Sequence, residues 1–264
     1  MAVLIRLLVA ASLALGVSAG PALAVFGGKT VGSGDLVAKT LAAVLDRSST
    51  GAHLCTAVAL GPRLMLTAAH CTDGGTGGVQ VIFATTLTDV SLERVRKVTA
   101  IQRAKPTPQA KGSFAYNNPD DVALIVLDSP VPPGTAFAKL ADGDGVGAVH
   151  IAGYGATSDL RNAGFGTSQV GFDRTLRTAR TTLIAKGAVL TADQSRGSGV
   201  CTGDSGGPAF TIAGKSLAVA GVLIGVSAPK SVNDYCRGSA HYVSVDRWRS
   251  WIVSTAKALG QPLN

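Results

Sequence analysis

The sequence lacks three features, each of which would assign it to a large class of proteins. Its first apolar run, residues 7–17, is too short to span a bilayer, and the later hydrophobic runs are only long enough for strands. The four cysteines include no C-x-x-C pair, which argues against a structural zinc site. No internal repeat or low-complexity tract is present. We therefore expect a folded protein with no membrane span in its mature form and no bound metal or cofactor.

Acidic residues are also scarce, with 16 Asp and Glu against 24 Lys and Arg, and the formal net charge is +8. A positive surplus attracts anionic surfaces or acidic partners. The basic residues are scattered along the chain, however, and the aromatic residues, which make up only 5% of it, are not interleaved with them. Nucleic-acid-binding proteins combine basic patches with aromatic stacking residues, so nucleic acid is not an expected partner.

The first 24 residues have the pattern of an export signal. A short segment with one cation, Arg6, precedes the apolar run, and Ala22-Leu23-Ala24 supplies small residues at a cleavage position. The pattern predicts a signal peptide over residues 1–24 and a secreted or periplasmic destination. A competing cleavage after Ala19 would leave residues 20–24 as a short pro-segment. In an exported chain the four cysteines favour disulfides, and the residues alone leave their pairing open.

Short strands separated by Gly and Pro dominate the rest of the chain. Runs rich in branched apolar residues occur at 57–60, 63–67, 79–84, 122–127, 148–153, 181–185 and 217–224. A Pro- and Gly-rich passage over 129–147 is typical of a connector between two halves. Apolar residues at helical spacing predict one helix over 245–259. The pattern predicts an all-β fold with a C-terminal α-helix.

Three motifs carry the chemistry. Gly203-Asp204-Ser205-Gly206-Gly207-Pro208 sets a serine in a glycine-rich loop that can expose its hydroxyl. A serine is a weak nucleophile unless a base, a group that orients the base and donors for an oxyanion accompany it. Upstream lie Leu66-Thr67-Ala68-Ala69-His70-Cys71 and Asp121-Val122-Ala123-Leu124. The order His, Asp, Ser differs from that of subtilisins and of α/β-hydrolases.

With these motifs the chain resembles the trypsin/chymotrypsin-like serine endopeptidases from residue 25 to residue 251, more loosely over 161–198. The resemblance implies two six-stranded antiparallel β-barrels with the active site between them. Residues 25–140 would form the N-terminal barrel with His70 and Asp121. Residues 141–264 would form the C-terminal barrel with Ser205 and the terminal helix.

The resemblance also implies a role for each motif residue. Ser205 would be the nucleophile, His70 the general base, and Asp121 the group that fixes the imidazole tautomer. Asp120 is the rival acid, but Asp121 directly precedes the Val-Ala-Leu run where the family has its acid. The N–H groups of Gly203 and Ser205 would bind the oxyanion. Disulfides are implied between Cys55 and Cys71 and between Cys201 and Cys236.

Substrate preference is expected from the residues around the pocket. Trypsin-like enzymes have an aspartate six residues before the nucleophile, where this chain has Gly199, and the opposite wall would carry Ala240. Without an acid at either position we expect a small or apolar P1 residue, the residue on the acyl side of the cleaved bond. Asp234, close to Cys236, could still add some preference for basic residues.

The segment Val25-Phe26-Gly27-Gly28 corresponds to the activation sequence of the resembled family. There, cleavage exposes a β-branched residue whose new ammonium pairs with the acid before the nucleophile. We expect export processing after Ala24 to create this end directly, so that Val25 pairs with Asp204. An unpaired buried ammonium would be very costly.

The function expected from the sequence is that of an exported serine endopeptidase acting through an acyl-enzyme. Two alternatives stay open: an inactive binding protein on the same fold, because fold does not fix function, and a narrow serine esterase or amidase. The expected partners are a protein or peptide substrate and, as a candidate, a proteinaceous inhibitor. We expect a monomer.

Overall fold

The computed structural model describes residues 25–49, 51–104, 118–161, 168–186, 188–229 and 231–263. The predicted export signal over residues 1–24 lies outside the described residues. Within these ranges, none of the helices is long and apolar enough to cross a membrane.

Most of the described regular structure is β-strand. The strands in chain order are β1 (Lys29–Thr30), β2 (Leu41–Ser48), β3 (Gly51–Gly61), β4 (Leu64–Thr67), β5 (Val79–Ile82), β6 (Val95–Arg103), β7 (Ala123–Leu127), β8 (Lys139–Leu140), β9 (Gly147–Gly153), β10 (Ser158–Arg161), β11 (Ser168–Gly171), β12 (Arg177–Lys186), β13 (Val189–Asp193), β14 (Pro208–Ala213), β15 (Ser216–Ser227) and β16 (Ser239–Ser244). The helices are α1 (Leu36–Thr40), α2 (Gly75–Gly78) and α3 (Val245–Ala258), with 3₁₀ turns at Ala69–Thr72, Leu92–Arg94 and Tyr235–Arg237.

The first barrel is closed by six antiparallel strands in the order β2-β3-β4-β7-β6-β5. Strands β4 and β7 are short apolar runs in which every residue is buried. By contrast, β6 alternates apolar residues with arginine and lysine, because its outer face meets solvent. The first barrel therefore combines fully buried strands, β4 and β7, with a partly solvent-exposed strand, β6.

The second barrel closes through β12-β13-β16-β15-β14-β9 and the pairing of β9 back to β12, again with every strand antiparallel. Two short strands lie outside this ring: β1 pairs with β12, and β8 runs parallel to β15. The predicted fold, two six-stranded antiparallel barrels with a C-terminal helix, is confirmed. The first described residues lie against the second barrel, since Val25 and Phe26 are buried there.

Contacts across the two barrels form the floor of a cleft. The hydroxyl of Tyr154, which is buried before β10, donates to the carbonyl oxygen of Ala84 at 2.8 Å, and its backbone N–H donates to Thr56 Oγ1 at 3.3 Å. Helix α3 packs Ile252 into the core, and Trp248 Nε1 donates to the carbonyl oxygen of Pro119 at 2.7 Å. The C-terminal helix thus supports the turn that precedes Asp121.

Candidate active site

The predicted base lies just past the end of β4. His70 belongs to the 3₁₀ turn Ala69–Thr72, and a disulfide joins Cys71 in this turn to Cys55 in β3. The bridge fastens the turn to the neighbouring strand of the same barrel. The half-exposed ring of His70 lines the cleft, with 37% of its side chain accessible.

Asp121 meets His70 because their strands are paired. Thr67 at the end of β4 pairs with Ala123 at the start of β7, so the residues beyond these two strand ends are neighbours. Asp121 Oδ2 lies 2.6 Å from His70 Nδ1, and Oδ1 accepts the backbone N–H of His70 at 2.9 Å. The carboxylate is buried, with 4% of the side chain exposed. Both of its oxygens therefore hold the histidine turn.

This contact changes the proton affinity of the imidazole. Burial alone would lower the pKa of His70, but the hydrogen bond and the negative charge of Asp121 outweigh it, so the pKa of His70 is raised above 6.5. With Nδ1 bonded to the carboxylate, the neutral ring carries its proton on Nδ1 and leaves Nε2 free to accept one. His70 is thus oriented as a base toward the cleft.

Asp120, the rival acid, makes no such contact. Its backbone N–H donates to Asn118 Oδ1 at 3.0 Å, and its carbonyl oxygen accepts from Val122 N–H at 2.9 Å. These are the local bonds of a turn, as expected from an Asn-Pro-Asp sequence. Of the two adjacent acids, the structure brings Asp121 to His70.

The serine loop is fixed between the barrels by its backbone. The carbonyl oxygen of Ser205 accepts the N–H of Thr56 in β3 at 2.7 Å, and Gly206 N–H donates to the carbonyl oxygen of Leu223 in β15 at 2.7 Å. Gly206 has φ +79°, and a Cβ there would lie 2.1 Å from Thr67 Oγ1. Only glycine fits this approach, which explains the residue that follows the serine.

Ser205 and His70 line one cavity of about 400 Å³. Its other lining residues are His53, Leu54, Cys55, Asp73, Cys201, Thr202, Gly203, Ile224, Gly225, Val226 and Tyr235. No hydrogen bond joins the Ser205 and His70 side chains within the described chain, and catalytic hydrogen bonds are often long before substrate binds. The backbone N–H groups of Gly203 and Ser205 also donate no hydrogen bond among the described residues. Both stay available beside the serine, and Gly203 has φ +95°.

Asp204 points into the protein and away from the cavity. It is fully buried, and its carboxylate accepts the N–H groups of Cys201 at 2.8 Å and Gly155 at 2.7 Å. Burial raises the pKa of Asp204 to about 7, against the lowering effect of these two hydrogen bonds. No salt bridge among the described residues involves this carboxylate. A buried carboxylate without such a partner is costly, because its charge has lost the solvation of water.

Val25, the predicted partner of Asp204, is buried in the second barrel in one cluster with Tyr242. Burial raises the pKa of the Tyr242 hydroxyl, and the negative charge of Asp204 raises it further. Val25 has φ +42°, a rare conformation for a β-branched residue. Both members of the predicted ion pair are therefore buried in the interior of the protein.

The two predicted pocket residues are buried and do not line the cavity beside Ser205. A Cβ at Gly199 would lie 2.5 Å from Gln194 Cδ and 2.6 Å from Phe26 Cε1. Gln194 is itself fixed by hydrogen bonds to the backbone N–H and carbonyl of Val200. Ala240 is completely buried in strand β16. A second disulfide, Cys201 to Cys236, joins the serine loop to the segment opposite.

Two further groups bear on the chemistry. Potential ligand atoms of Cys55, His70 and Cys71 lie within 4.8 Å of one another, but the two sulfurs are bonded to each other and offer no thiolate. Tyr235 lines the cavity, although it belongs to none of the sequence motifs that predict site residues. Its one sequence signal is its place directly before Cys236, a residue tied to the serine loop.

Comparison with known proteins gives a consistent result. A family model described as Trypsin matches residues 32–252. The chain is 28% identical over 203 residues to a protein named Trypsin from Saccharopolyspora erythraea, covering 73% of this chain and 85% of that protein. It is 27% identical over 216 residues to Granzyme M from Homo sapiens, covering 75% and 79%. Since the family model spans most of the sequence, this chain belongs to the trypsin family of serine proteases.

Proposed function

We propose that this chain is an exported serine endopeptidase that cleaves polypeptides through an acyl-enzyme intermediate. The proposal is carried by the 2.6 Å contact between His70 Nδ1 and Asp121 Oδ2, in a cavity that also exposes Ser205. A base held by a buried acid beside a serine is the constellation that nucleophilic acyl transfer requires.

Each residue then has one task. Ser205 Oγ attacks the substrate carbonyl carbon while His70 Nε2 takes its proton, and the N–H groups of Gly203 and Ser205 bind the oxyanion. When the tetrahedral adduct collapses, the scissile C–N bond breaks and His70 protonates the leaving amine. Water, deprotonated by His70, then hydrolyses the acyl-enzyme. Asp121 stays ionised and keeps the imidazole oriented.

A small or apolar P1 residue is supported by the cavity wall next to Ser205. Ile224, Gly225 and Val226 line it, and none carries a charge. Asp234, the acid that could have favoured basic residues, accepts the N–H groups of Cys236 and Asp159 and does not line this cavity. This uncharged wall beside Ser205 offers no partner for a lysine or arginine side chain.

Export processing after Ala24 would activate the enzyme directly. Two observations support this step: Asp204 is a buried carboxyl without a cationic partner among the described residues, and Val25 is strained while a peptide bond precedes it. Cleavage removes the preceding carbonyl that makes φ +42° unfavourable and supplies an ammonium for Asp204. The mature enzyme would be a monomer in a secreted or periplasmic location, open to polypeptide substrates and to a proteinaceous inhibitor.

Fluorophosphonate labelling of processed protein tests the proposal. We expect one adduct, on Ser205, that is absent in Ser205→Ala and present in Ser254→Ala, which changes an exposed serine of α3. A peptide-library digest then separates peptidase from esterase activity. Protein that binds polypeptides but takes up no label would indicate an inactive binding protein, and ester hydrolysis without peptide cleavage would indicate an esterase.

A further inference from the structure

The cavity beside Ser205 ends at an aromatic ring. Tyr235 and Val226 both line it, and the hydroxyl of Tyr235 donates to the carbonyl oxygen of Val226. The ring therefore extends from the 3₁₀ turn Tyr235–Arg237 to strand β15.

Tyr235 also has a second face, which packs against a buried cluster of the second barrel. That cluster contains Val200, Ala240 and Tyr242, all nearly or fully inaccessible. Ala240, predicted from the sequence to line the substrate pocket, belongs to this cluster and does not line the cavity. Tyr235 contacts both the cavity and the cluster.

We propose that Tyr235 determines the substrate specificity of this site, because its ring is the floor of a shallow P1 pocket that admits only small side chains. This inference rests on the proposed peptidase function and names the residue that sets its preference. A long or aromatic P1 side chain would have to occupy the volume of the Tyr235 ring. Close-packed side chains do not yield that volume without cost.

The turn that carries Tyr235 is anchored firmly enough for this role. Asp234 Oδ1 accepts the N–H of Cys236 at 3.1 Å and the N–H of Asp159 in β10 at 3.0 Å. The next residue, Cys236, is bonded to Cys201 in the serine loop. Displacing the ring would therefore disturb a disulfide and the partly exposed carboxylate of Asp234, so we expect the ring to stay in place when substrate binds.

A further buried group lies in the cluster against which Tyr235 packs. Tyr242 is completely buried, and its hydroxyl has no hydrogen-bond partner among the described residues. Buried hydroxyl groups are normally hydrogen-bonded. Replacing Tyr235 by a small residue would join the cavity to a space lined by Val200, Ala240 and this hydroxyl. Such a space suits a large apolar side chain.

The test compares Tyr235→Ala, Tyr235→Leu and Tyr235→Phe with the wild type on peptides that vary only at P1. The wild type should prefer Ala and Val over Leu and Phe. Tyr235→Ala should raise kcat/KM for Phe relative to Ala by about 10- to 100-fold, Tyr235→Leu by less, and Tyr235→Phe, which keeps the ring, by less than threefold. An unchanged preference in Tyr235→Ala, or a wild type that favours Phe, would overturn the proposal.

Ligand binding without catalysis separates this inference from the proposed function. Indole is the probe, and the protein carries Ser205→Ala in every variant, with folding checked by thermal melting. Indole should stabilise the variant that also carries Tyr235→Ala and leave the Tyr235 parent unaffected. Equal binding to both, or binding to neither, would show that the ring does not close a deeper pocket, whether or not the wild type hydrolyses peptides.

Discussion

The two barrels bring unequal halves to the candidate site. In the first barrel, Asp121 uses both oxygens on His70, and the pKa of the imidazole is raised as a result. In the second, the Asp204 carboxylate accepts the N–H groups of Cys201 and Gly155, and burial raises its pKa to about 7. In the first barrel the buried acid Asp121 is paired with His70. In the second, the buried acid Asp204 has no cationic partner among the described residues.

This difference follows from how each half is built. His70 and Asp121 meet through the pairing of two strands within one barrel, and a disulfide and helix α3 support the two turns that carry them. The serine loop, in contrast, is shaped around a buried acid whose proposed partner is created by cleavage. If the proposed activation holds, the base is in place once the chain folds, whereas the nucleophile loop depends on processing.

The largest effect on activity should come from disrupting the His70–Asp121 pair of the first barrel. Asp121→Asn removes the negative charge that fixes the histidine tautomer. We expect kcat to fall about 10⁴-fold, the size found when the aspartate of a Ser-His-Asp triad becomes asparagine. Steady-state kinetics on the best peptide substrate measures it, with folding checked by circular dichroism.

Asp120→Asn is the matched control, because Asp120 is the neighbouring buried acid and bonds its own turn. We expect a loss below tenfold. A larger loss in Asp120→Asn than in Asp121→Asn would mean that the wrong acid has been assigned to His70.

The next largest effect should come from disrupting the proposed ion pair between the Val25 ammonium and Asp204 of the second barrel. Protein that starts at Val25, made by removing an N-terminal tag, is compared with protein that starts one residue earlier at Ala24. The extra residue moves the ammonium away from Asp204, and breaking a buried charge pair costs about 3 to 5 kcal/mol. Fluorophosphonate labelling of the Ala24 form should be slower by about 10²- to 10³-fold. Equal rates would show that the ion pair does not form.

The same pair of proteins should differ in the pH dependence of stability. With the folded pKa of Asp204 raised from 3.8 to about 7, its stabilising contribution is full below pH 4 and is lost as the pH rises toward 7. The Ala24 form should lose roughly 4 kcal/mol of unfolding free energy over this range. In the Val25 form the ammonium stabilises the ionised carboxylate, so most of this loss should disappear. Urea unfolding of Ser205→Ala versions at several pH values measures it.

A smaller effect is expected from placing an acid where trypsin-like enzymes have one. Gly199→Asp forces a side chain against Gln194 and Phe26, both within 2.6 Å of the new Cβ. Overpacking should lower the unfolding free energy by about 1 to 3 kcal/mol without producing cleavage after lysine or arginine. Thr211→Asp adds the same side chain at an exposed position of the same barrel and should be nearly neutral. Efficient cleavage after basic residues in Gly199→Asp would contradict this assignment.

The smallest effect tests the support that helix α3 gives the first half. Trp248→Phe removes the hydrogen bond to the Pro119 carbonyl, two residues before Asp121, and keeps an aromatic ring. We expect about 1 kcal/mol less unfolding free energy and less than a tenfold loss of kcat. A loss comparable with that of Asp121→Asn would mean that the turn depends on the helix.

The sequence predicted strands that are continuous apolar runs and missed strands whose apolar residues are interrupted by polar ones. Strands β4 and β7 are continuous buried runs, and both were expected at nearly their observed bounds. Strands β2 and β6 were not expected, because Asp46, Arg47, Arg96 and Lys97 interrupt their apolar residues. Such interruptions weaken the signal whether the charged residue is exposed, like Arg47, or buried, like Asp46.

The site shows a similar division. Residues inside continuous motifs, His70, Asp121 and Ser205, could be named from sequence because each motif has a fixed local geometry. Tyr235 could not be named, because its position at the cavity depends on its two neighbours. Cys236 is bonded to Cys201 by a disulfide, and Asp234 accepts a hydrogen bond from Asp159 in a distant hairpin. Ala240, expected to line the pocket, is instead buried in the cluster against which this ring packs. Contacts between loops that are far apart in the chain leave no periodic or motif signal.

Mass spectrometry of the exported protein after fluorophosphonate labelling tests the central claim most directly, because it reads the N-terminus and the reactive residue together. The labelled population should begin at Val25 and carry its adduct on Ser205. A labelled population that begins at Gly20, or an adduct on any other residue, would contradict the claim that export processing completes the second half of the site.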